Sequence, residues 1–327
     1  MARITVLGAG GWGMALSIAA HKVGHKVSIW SAFPEEIDLL NKTRENKKLL
    51  PGIILPEDIA LSSDINIAEN SDITIIAVPS IAVSSIAKSL AGVRNHGIVV
   101  NVAKGFVPKT NSRLSVVIEE CLPKDSVVVL SGPSHAEEVA RGIPTLLVAA
   151  STSLVASRIV QDLLSSDTLR IYTSDDVIGV ELGGALKNII AICAGICDGL
   201  NLGDNTKAAL VTRGLSEMTR LGVILGANES TFSGLAGVGD LVVTCTSRHS
   251  RNNRFGKLIG SGAKVSDALK EVGTVEGYYA AAIVHNLAKE NKIDLPLMDQ
   301  CYRILYKNLD VSNVVKNLML RPKHPEY

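Results

Sequence analysis

Aromatic residues are scarce, 4% of a 327-residue chain, and neither sign of charge dominates, the formal net charge being +1. These shortages argue against the extended basic face with interleaved aromatics that nucleic-acid binders use. They also remove any general pull toward anionic membranes, so an anionic ligand must be caught by a local cluster. The five cysteines, Cys121, Cys193, Cys197, Cys245 and Cys301, are odd in number and contain no CxxC pair, against a disulfide framework or a zinc ribbon. Cys193 and Cys197, four apart, would share a helix face as small buried hydrophobes, and the set fits a reducing cytoplasm. No uninterrupted apolar run reaches ~18 residues, so no membrane span is expected. Arg3 followed by apolar residues imitates a secretory signal, but Gly8, Gly10, Gly11 and Gly13 break the stretch into strand, turn and helix. Internal repeats and low-complexity tracts are absent too.

What remains is a chain that is 46% hydrophobic and 20% charged, longer than the ~250–300 residues one core accommodates. Two domains are expected. Through residue 175, short β-branched runs alternate with helical stretches. Strands are predicted at Ile4–Leu7, Val27–Trp30, Ile73–Val78, Ile98–Val102, Val127–Leu130, Leu146–Ala149 and Leu169–Tyr172. Ile73–Val78 is apolar throughout, as in a parallel strand buried on both faces. The helices between them are expected at Trp12–Val23, Glu35–Arg44, Val83–Leu90, Ser112–Cys121 and Leu154–Leu164. Such alternation implies an α/β domain with a doubly wound, mostly parallel Rossmann sheet over residues 1–175. Beyond it the strand runs largely stop. Helices are predicted at Val177–Leu200, Asn205–Leu225, Arg251–Ile259, Val265–Glu271, Val275–Glu290, Met298–Tyr306 and Ser312–Leu320, an all-α domain over 176–327.

Gly8-Ala9-Gly10-Gly11-Trp12-Gly13 satisfies GxGxxG between a predicted strand and helix, the context that makes this motif a dinucleotide site. Gly8 would make the tight turn, Gly10 would admit a pyrophosphate, and Gly13 would let helix and strand pack. The pyrophosphate would meet the positive end of the helix. Lys104 closes VVNVAKG at the carboxyl end of a strand, where ligands of open α/β sheets gather. Ser131–Ala136 (SGPSHA) is a shaped turn after the next strand. Within GVELGGALKN (179–188), the pair Gly183-Gly184 costs about 1 kcal/mol of helix stability per glycine. It therefore signals close approach of another helix or a ligand. Lys187, buried there, would become a usable proton carrier, although lysines in such helices are more often solvated. Asp240 in GLAGVGDL could orient an ammonium group or cap a helix. Arg248, Arg251 and Arg254 follow, and Ser250 is a natural N-cap. A helix start with guanidinium and amide groups suits phosphate.

These segments, in order through nearly the whole chain, closely resemble the bacterial NAD(P)-dependent glycerol-3-phosphate dehydrogenases. The resemblance rests on GAGGWG at 8–13, NVAKG at 101–105, SGPSHAEEVA at 131–140 and GVELGGALKNIIAI at 179–192. It continues in TRGLSEM at 212–218, GLAGVGDL at 234–241, SRNNRFG at 250–256 and VEGYYAA at 275–281. It implies Lys187 as proton donor and acceptor, Lys104 as a second lysine touching substrate and cofactor, and Asp240 as the acid beside the catalytic lysine. Gly132, Ser134, Ser250, Arg251 and Asn252 then match substrate-binding positions, with Arg251 at the phosphate. Gly11, Trp12, Ala136 and Glu276 match cofactor contacts, Glu276 toward the ribose or nicotinamide. His135 stands where related sequences often carry phenylalanine, and no catalytic role is assigned to it. A supply of glycerol 3-phosphate for phospholipid synthesis follows from the resemblance alone.

The expected reaction interconverts dihydroxyacetone phosphate and glycerol 3-phosphate without a metal, since Lys187 and Lys104 can meet the developing charge. Two alternatives stay open at this point: a β-hydroxyacid or ketopantoate-type reductase, and a non-catalytic nucleotide-sensing module. SRNNR at 250–254 favours a phosphoryl group over a bare carboxylate, and Lys187 with Asp240 favours catalysis. Both NADH and NADPH are expected to serve. The second strand runs into Ser31-Ala32-Phe33-Pro34, with neither the acid that reads a ribose 2′-OH nor the arginine that accommodates a 2′-phosphate. Phe33 could stack on adenine, and Lys42, Arg44, Lys47 and Lys48 give a slight lean to NADPH. The apolar surface of the helix at 205–225 would allow a homodimer.

Overall fold

The computed structural model describes residues 1–108, 110–123, 126–314, 320 and 323. Within them one sheet contains β1 (Arg3–Leu7), β2 (Lys26–Trp30), β3 (Ala60–Ser62), β4 (Ile73–Ile76), β5 (Ile98–Asn101), β6 (Val127–Ser131), β7 (Thr145–Ala150) and β8 (Leu169–Ser174). The order is β3-β2-β1-β4-β5-β6-β7-β8. Neighbours run parallel except β6 and β7, which are antiparallel. This is the doubly wound, mostly parallel Rossmann sheet. Its strand order reverses between β1 and β4, opening a crevice at their carboxyl ends. All four residues of β4 are buried, as its unbroken apolar run requires of a strand covered on both faces.

Some elements escape the apolar pattern. β3 has three residues, and the helix Ala136–Arg141 has six and opens Ala-Glu-Glu. The turn Leu235–Gly239 is π-helical and leads into the helix Asp240–Thr246. Each is too short or too glycine-rich to show a periodicity. The expected helix Ser312–Leu320 lies largely outside the described residues.

After β8 the chain is helical. Its axis is the helix Val177–Gly199, whose residues from Gly179 to Cys197 are all buried. A helix apolar all round belongs inside a core or a membrane. By length and composition this one could cross a membrane, yet 94% of its most apolar window is covered by the protein itself. The helix Arg251–Gly260 lies against it along a glycine seam. A Cβ on Gly195 would stand 2.0 Å from the Asn253 carbonyl oxygen, and one on Gly256 would stand 2.0 Å from that of Ile192. Only hydrogen fits at these crossings. The two backbones consequently touch, and the start of one helix is set beside the middle of the other.

Two carboxylates, Glu181 buried and Glu276 half-buried, clasp the helices to the sheet domain. Glu181 accepts from the Ser115 amide (2.9 Å) and hydroxyl (2.5 Å) and from Arg113 (2.7 Å). Glu276 accepts from the Ser80 amide (3.1 Å) and hydroxyl (2.5 Å), at the start of the helix Ser80–Leu90 that follows β4. Burial pushes the Glu276 carboxyl up, against the Ser80 bonds.

Candidate active site

The glycine-rich turn closes as its sequence requires. Gly8 has φ 131°, and a Cβ there would lie 2.3 Å from the Ala77 carbonyl oxygen, while one on Gly13 would lie 2.0 Å from that of Gly8. Gly10 faces open space by contrast, with nothing within 4 Å of the place its Cβ would take. It is also the N-cap of the helix Gly11–Lys22, and no side chain caps it. Free first-turn amides facing open space form a cradle for a diphosphate. Gly11 faces the Leu49 carbonyl oxygen, 2.7 Å from the place its Cβ would take, with the Ala136 Cβ 3.7 Å from the same point. Trp12 packs half-buried on the sheet core. Phe33, 61% exposed, caps the helix Pro34–Thr43 just beyond β2.

At that point the structure adds an acid that the linear segment lacks. Glu36, one turn into the helix, accepts a 2.5 Å hydrogen bond from the Ser31 hydroxyl. Arg44, one of the cations behind the expected lean to NADPH, is committed to the carbonyls of Ile59 and Glu57, both at 2.9 Å.

The carboxyl ends of β5 and β6 carry Lys104 and the loop 131–135. Lys104 donates to the Gly132 carbonyl (2.9 Å), to Ser134 Oγ (3.2 Å) and to Asp240 Oδ2 (2.7 Å). Lys187 approaches the other oxygen of the same acid, Nζ to Oδ1 at 2.5 Å, and also donates to Thr244 Oγ1 at 2.7 Å. One buried carboxylate thus spans two ammonium groups. The glycine pair explains the access. A Cβ on Gly183 would meet the Ala236 carbonyl at 2.2 Å, and one on Gly184 would meet Ser131 Oγ at 2.9 Å and Lys104 Cγ at 3.3 Å.

Burial lowers the Lys187 ammonium to about 8, with Asp240 opposing and Lys104 assisting. Burial pushes Asp240 up, but the Lys104 and Lys187 ammonium groups outweigh it and hold the acid low. The trio therefore carries two positive charges and one negative, an excess suited to an anionic oxygen. Thr244 does not stand out in the sequence. The signal available is its place one helical turn after Asp240, on the same face.

Ser250 caps the helix Arg251–Gly260, its hydroxyl accepting from the Asn253 amide at 3.2 Å. Arg251 opens that helix, exposed to solvent, and its charge reaches Glu276. Asn252 points inward instead. Its amide donates to Asn188 Oδ1 (2.9 Å) and its carbonyl oxygen accepts from the Gly277 amide (2.9 Å), tying three helices together. One Nδ2 hydrogen of Asn252 remains for a ligand, beside its backbone amide in the first turn. Among the described residues no group of three or more potential metal ligands is found.

The chain matches the family described as NAD-dependent glycerol-3-phosphate dehydrogenase, N-terminus, over residues 3–156, and the same family's C-terminus over 176–316. It is 48% identical to an NAD(P)+ glycerol-3-phosphate dehydrogenase of Desulfitobacterium hafniense, over all of this chain and 93% of that one. With the enzyme of the same description from Thermoanaerobacter sp. the identity is 50%, over 99% of this chain and 98% of the other. Among solved structures, the glycerol-3-phosphate dehydrogenase of Coxiella burnetii superimposes with TM-score 0.94 at 38% identity, covering 98% of this chain and 99% of that one.

Proposed function

This chain belongs to the NAD-dependent glycerol-3-phosphate dehydrogenase family, and from that premise we propose that the Lys104–Asp240–Lys187 bridge is where its reaction takes place. The protein is an oxidoreductase that interconverts dihydroxyacetone phosphate and sn-glycerol 3-phosphate with NAD(P)H. Neither the hydroxyacid-reductase alternative nor the nucleotide-sensing one is retained. The bridge itself carries the assignment of roles, because it places two ammonium groups on one buried acid beside the cofactor crevice.

The nicotinamide cofactor, when bound, supplies or accepts the hydride. Its diphosphate would lie on the open Gly10 cradle, within the turn of Gly8, Gly11, Trp12 and Gly13 and against Ala136. Glu276 and Lys104 would face its nicotinamide end. Lys187 would deliver a proton to the substrate's C2 oxygen as charge builds there, and would take it back in oxidation. Lys104 would add positive field at the same oxygen. Asp240 keeps both lysines in position and stabilises their charge, and Thr244 fixes the direction of the Lys187 Nζ–H bonds. Gly132 and Ser134 act by holding Lys104. Ser250, Arg251 and the Asn252 amide would hold the phosphate at the helix start, so that binding energy far from C2 positions the reacting carbon.

Both cofactors are proposed to serve. The Ser31–Glu36 pair favours a ribose 2′-OH, and Lys42, Lys47 and Lys48 favour a 2′-phosphate. With Arg44 committed elsewhere, no lean to NADPH is retained. A cytoplasmic enzyme supplying phospholipid synthesis is proposed on the family membership. A homodimer would use the exposed Val223 and Ile224 at the end of the helix Gly203–Ile224, which light scattering tests. The function itself is tested by oxidation of NADPH or NADH with dihydroxyacetone phosphate, beside ketopantoate and buffer controls. Turnover of ketopantoate alone would overturn it.

A further inference from the structure

Ser80 belongs to none of the motifs legible in the sequence, yet it lies where three segments meet. It opens the helix Ser80–Leu90 shortly after β4, is only 2% exposed, and follows Pro79, which supplies no side-chain cap. Glu276, from the helices beyond β8, closes that helix start instead. Its Oε1 accepts from the Ser80 amide at 3.1 Å and its Oε2 from the Ser80 hydroxyl at 2.5 Å. The third segment is Lys104-Gly105, just past β5. A Cβ on Gly105 would stand 2.9 Å from Ser80 Cβ and 3.0 Å from Glu276 Oε2, so the glycine beside Lys104 makes room for the pair. The carboxylate therefore sits near the carboxyl ends of β4 and β5, next to the point where the strand order reverses and ligands of such sheets bind.

A carboxylate offers about four acceptor sites on its two oxygens, and Ser80 occupies one on each. We propose that Ser80 is a positioning residue for the cofactor: its amide and hydroxyl together fix the plane of the Glu276 carboxylate, whose remaining acceptor sites receive hydroxyl or amide donors at the nicotinamide end. The inference rests on the reading of Glu276 as a nicotinamide-side contact. A single bond would leave the carboxylate free to rotate, whereas bonds to both oxygens hold it. The same two bonds keep the group in its acceptor form. Burial pushes Glu276 up, and the Ser80 hydroxyl, the Ser80 amide and the Arg251 charge oppose that push. Hydrogen bonds to the charged form favour it, and the positive end of the helix Ser80–Leu90 acts in the same sense. Lys104, the other cation near the junction, directs its ammonium to Asp240. Without the Ser80 hydroxyl, Glu276 loses the largest contribution opposing burial. Its protonated form, which offers fewer acceptor sites, then persists to higher pH.

The test is the dissociation constants of NADH and NADPH by fluorescence titration, from acid to neutral pH. The proteins are wild type, Ser80→Ala, Glu276→Gln and the double variant, with urea midpoints and steady-state kinetics measured alongside. Ser80→Ala should weaken both cofactors about tenfold, the scale for one hydrogen bond to a charged group. The two should suffer alike, because the nicotinamide end is common to them. At saturating cofactor, kcat and the KM for dihydroxyacetone phosphate should stay near wild type. As pH is lowered, affinity in Ser80→Ala should fall away sooner than in wild type. Glu276→Gln should weaken binding and remove that dependence, and adding Ser80→Ala to it should cost little more. Wild-type affinity in Ser80→Ala, an unshifted pH profile, or a loss that adds in full to that of Glu276→Gln would each overturn the proposal. Equal damage to cofactor affinity, substrate KM and urea midpoint would reduce the pair to a clasp and overturn it too. Wild-type affinity in Glu276→Gln would remove the reading of Glu276 as a cofactor contact, and the proposal with it.

Discussion

Lys187 and Asp240 lie 53 residues apart in sequence, yet Nζ and Oδ1 meet at 2.5 Å, both groups buried. The second oxygen of the acid is taken by Lys104. A lone buried ammonium would lose its proton. With Asp240 in contact it retains enough affinity to titrate at about 8, close to where a proton carrier is most useful.

Replacing Lys187 by methionine keeps the length of the side chain and removes the transferable proton. We expect kcat to fall by roughly 10²–10⁴, the usual scale for general acid–base help, with little change in NADH affinity by fluorescence titration. A variant with near-normal kcat would take Lys187 out of this role.

The sign of the pH dependence follows from the lowered Lys187. Reduction of dihydroxyacetone phosphate needs the ammonium, so kcat should decline as pH rises through about 8. Oxidation of glycerol 3-phosphate needs the free amine and should rise through the same region. Asp240→Asn removes the charge that sustains the ammonium, and both inflections should move to lower pH. Profiles of kcat in each direction for wild type and variant are the measurement, and an inflection that moves upward would contradict it.

Arg251→Ala should cost about 2–4 kcal/mol in kcat/KM for dihydroxyacetone phosphate, as for loss of a charge-assisted pair together with a helix-end charge. Unphosphorylated dihydroxyacetone should be scarcely affected. Equal losses with the two substrates would make the arginine structural.

For the cofactors, kcat/KM with NADH and NADPH at saturating dihydroxyacetone phosphate should differ by no more than about a hundredfold, each ~1.4 kcal/mol being tenfold. Glu36→Gln should move the ratio toward NADPH by about tenfold, because a carboxylate no longer faces the 2′-phosphate. An unchanged ratio would place the ribose reader elsewhere.

Gly256→Ala puts a methyl group 2.0 Å from the Ile192 carbonyl oxygen. The helix Arg251–Gly260 must then shift away from the central helix, and overpacking of this kind costs about 1–3 kcal/mol. Urea denaturation should show the lower midpoint. Since Ser250 and Arg251 ride on that helix, KM for dihydroxyacetone phosphate should rise as well. A normal midpoint would mean that the seam yields without strain.

Much of this protein was decided locally. The apolar run at Ile73–Ile76, the alternation through residue 175 and the glycine turn at 8–13 each depend on neighbours within a few residues, so periodicity and backbone freedom suffice to read them. The same holds for the Ser250 cap. Lys187 could be suspected from the glycine pair ahead of it, since that pair had to admit something close. What admits it, the Ala236 carbonyl on one side and the Lys104 stem on the other, depended on tertiary packing. So did the sharing of Asp240 by two lysines and the diversion of Asn252 into a bond with Asn188. These are contacts between segments brought together only when the helices pack on one another and on the sheet. A side chain's partner there is set by crossing geometry and burial, which no run of neighbouring residues encodes.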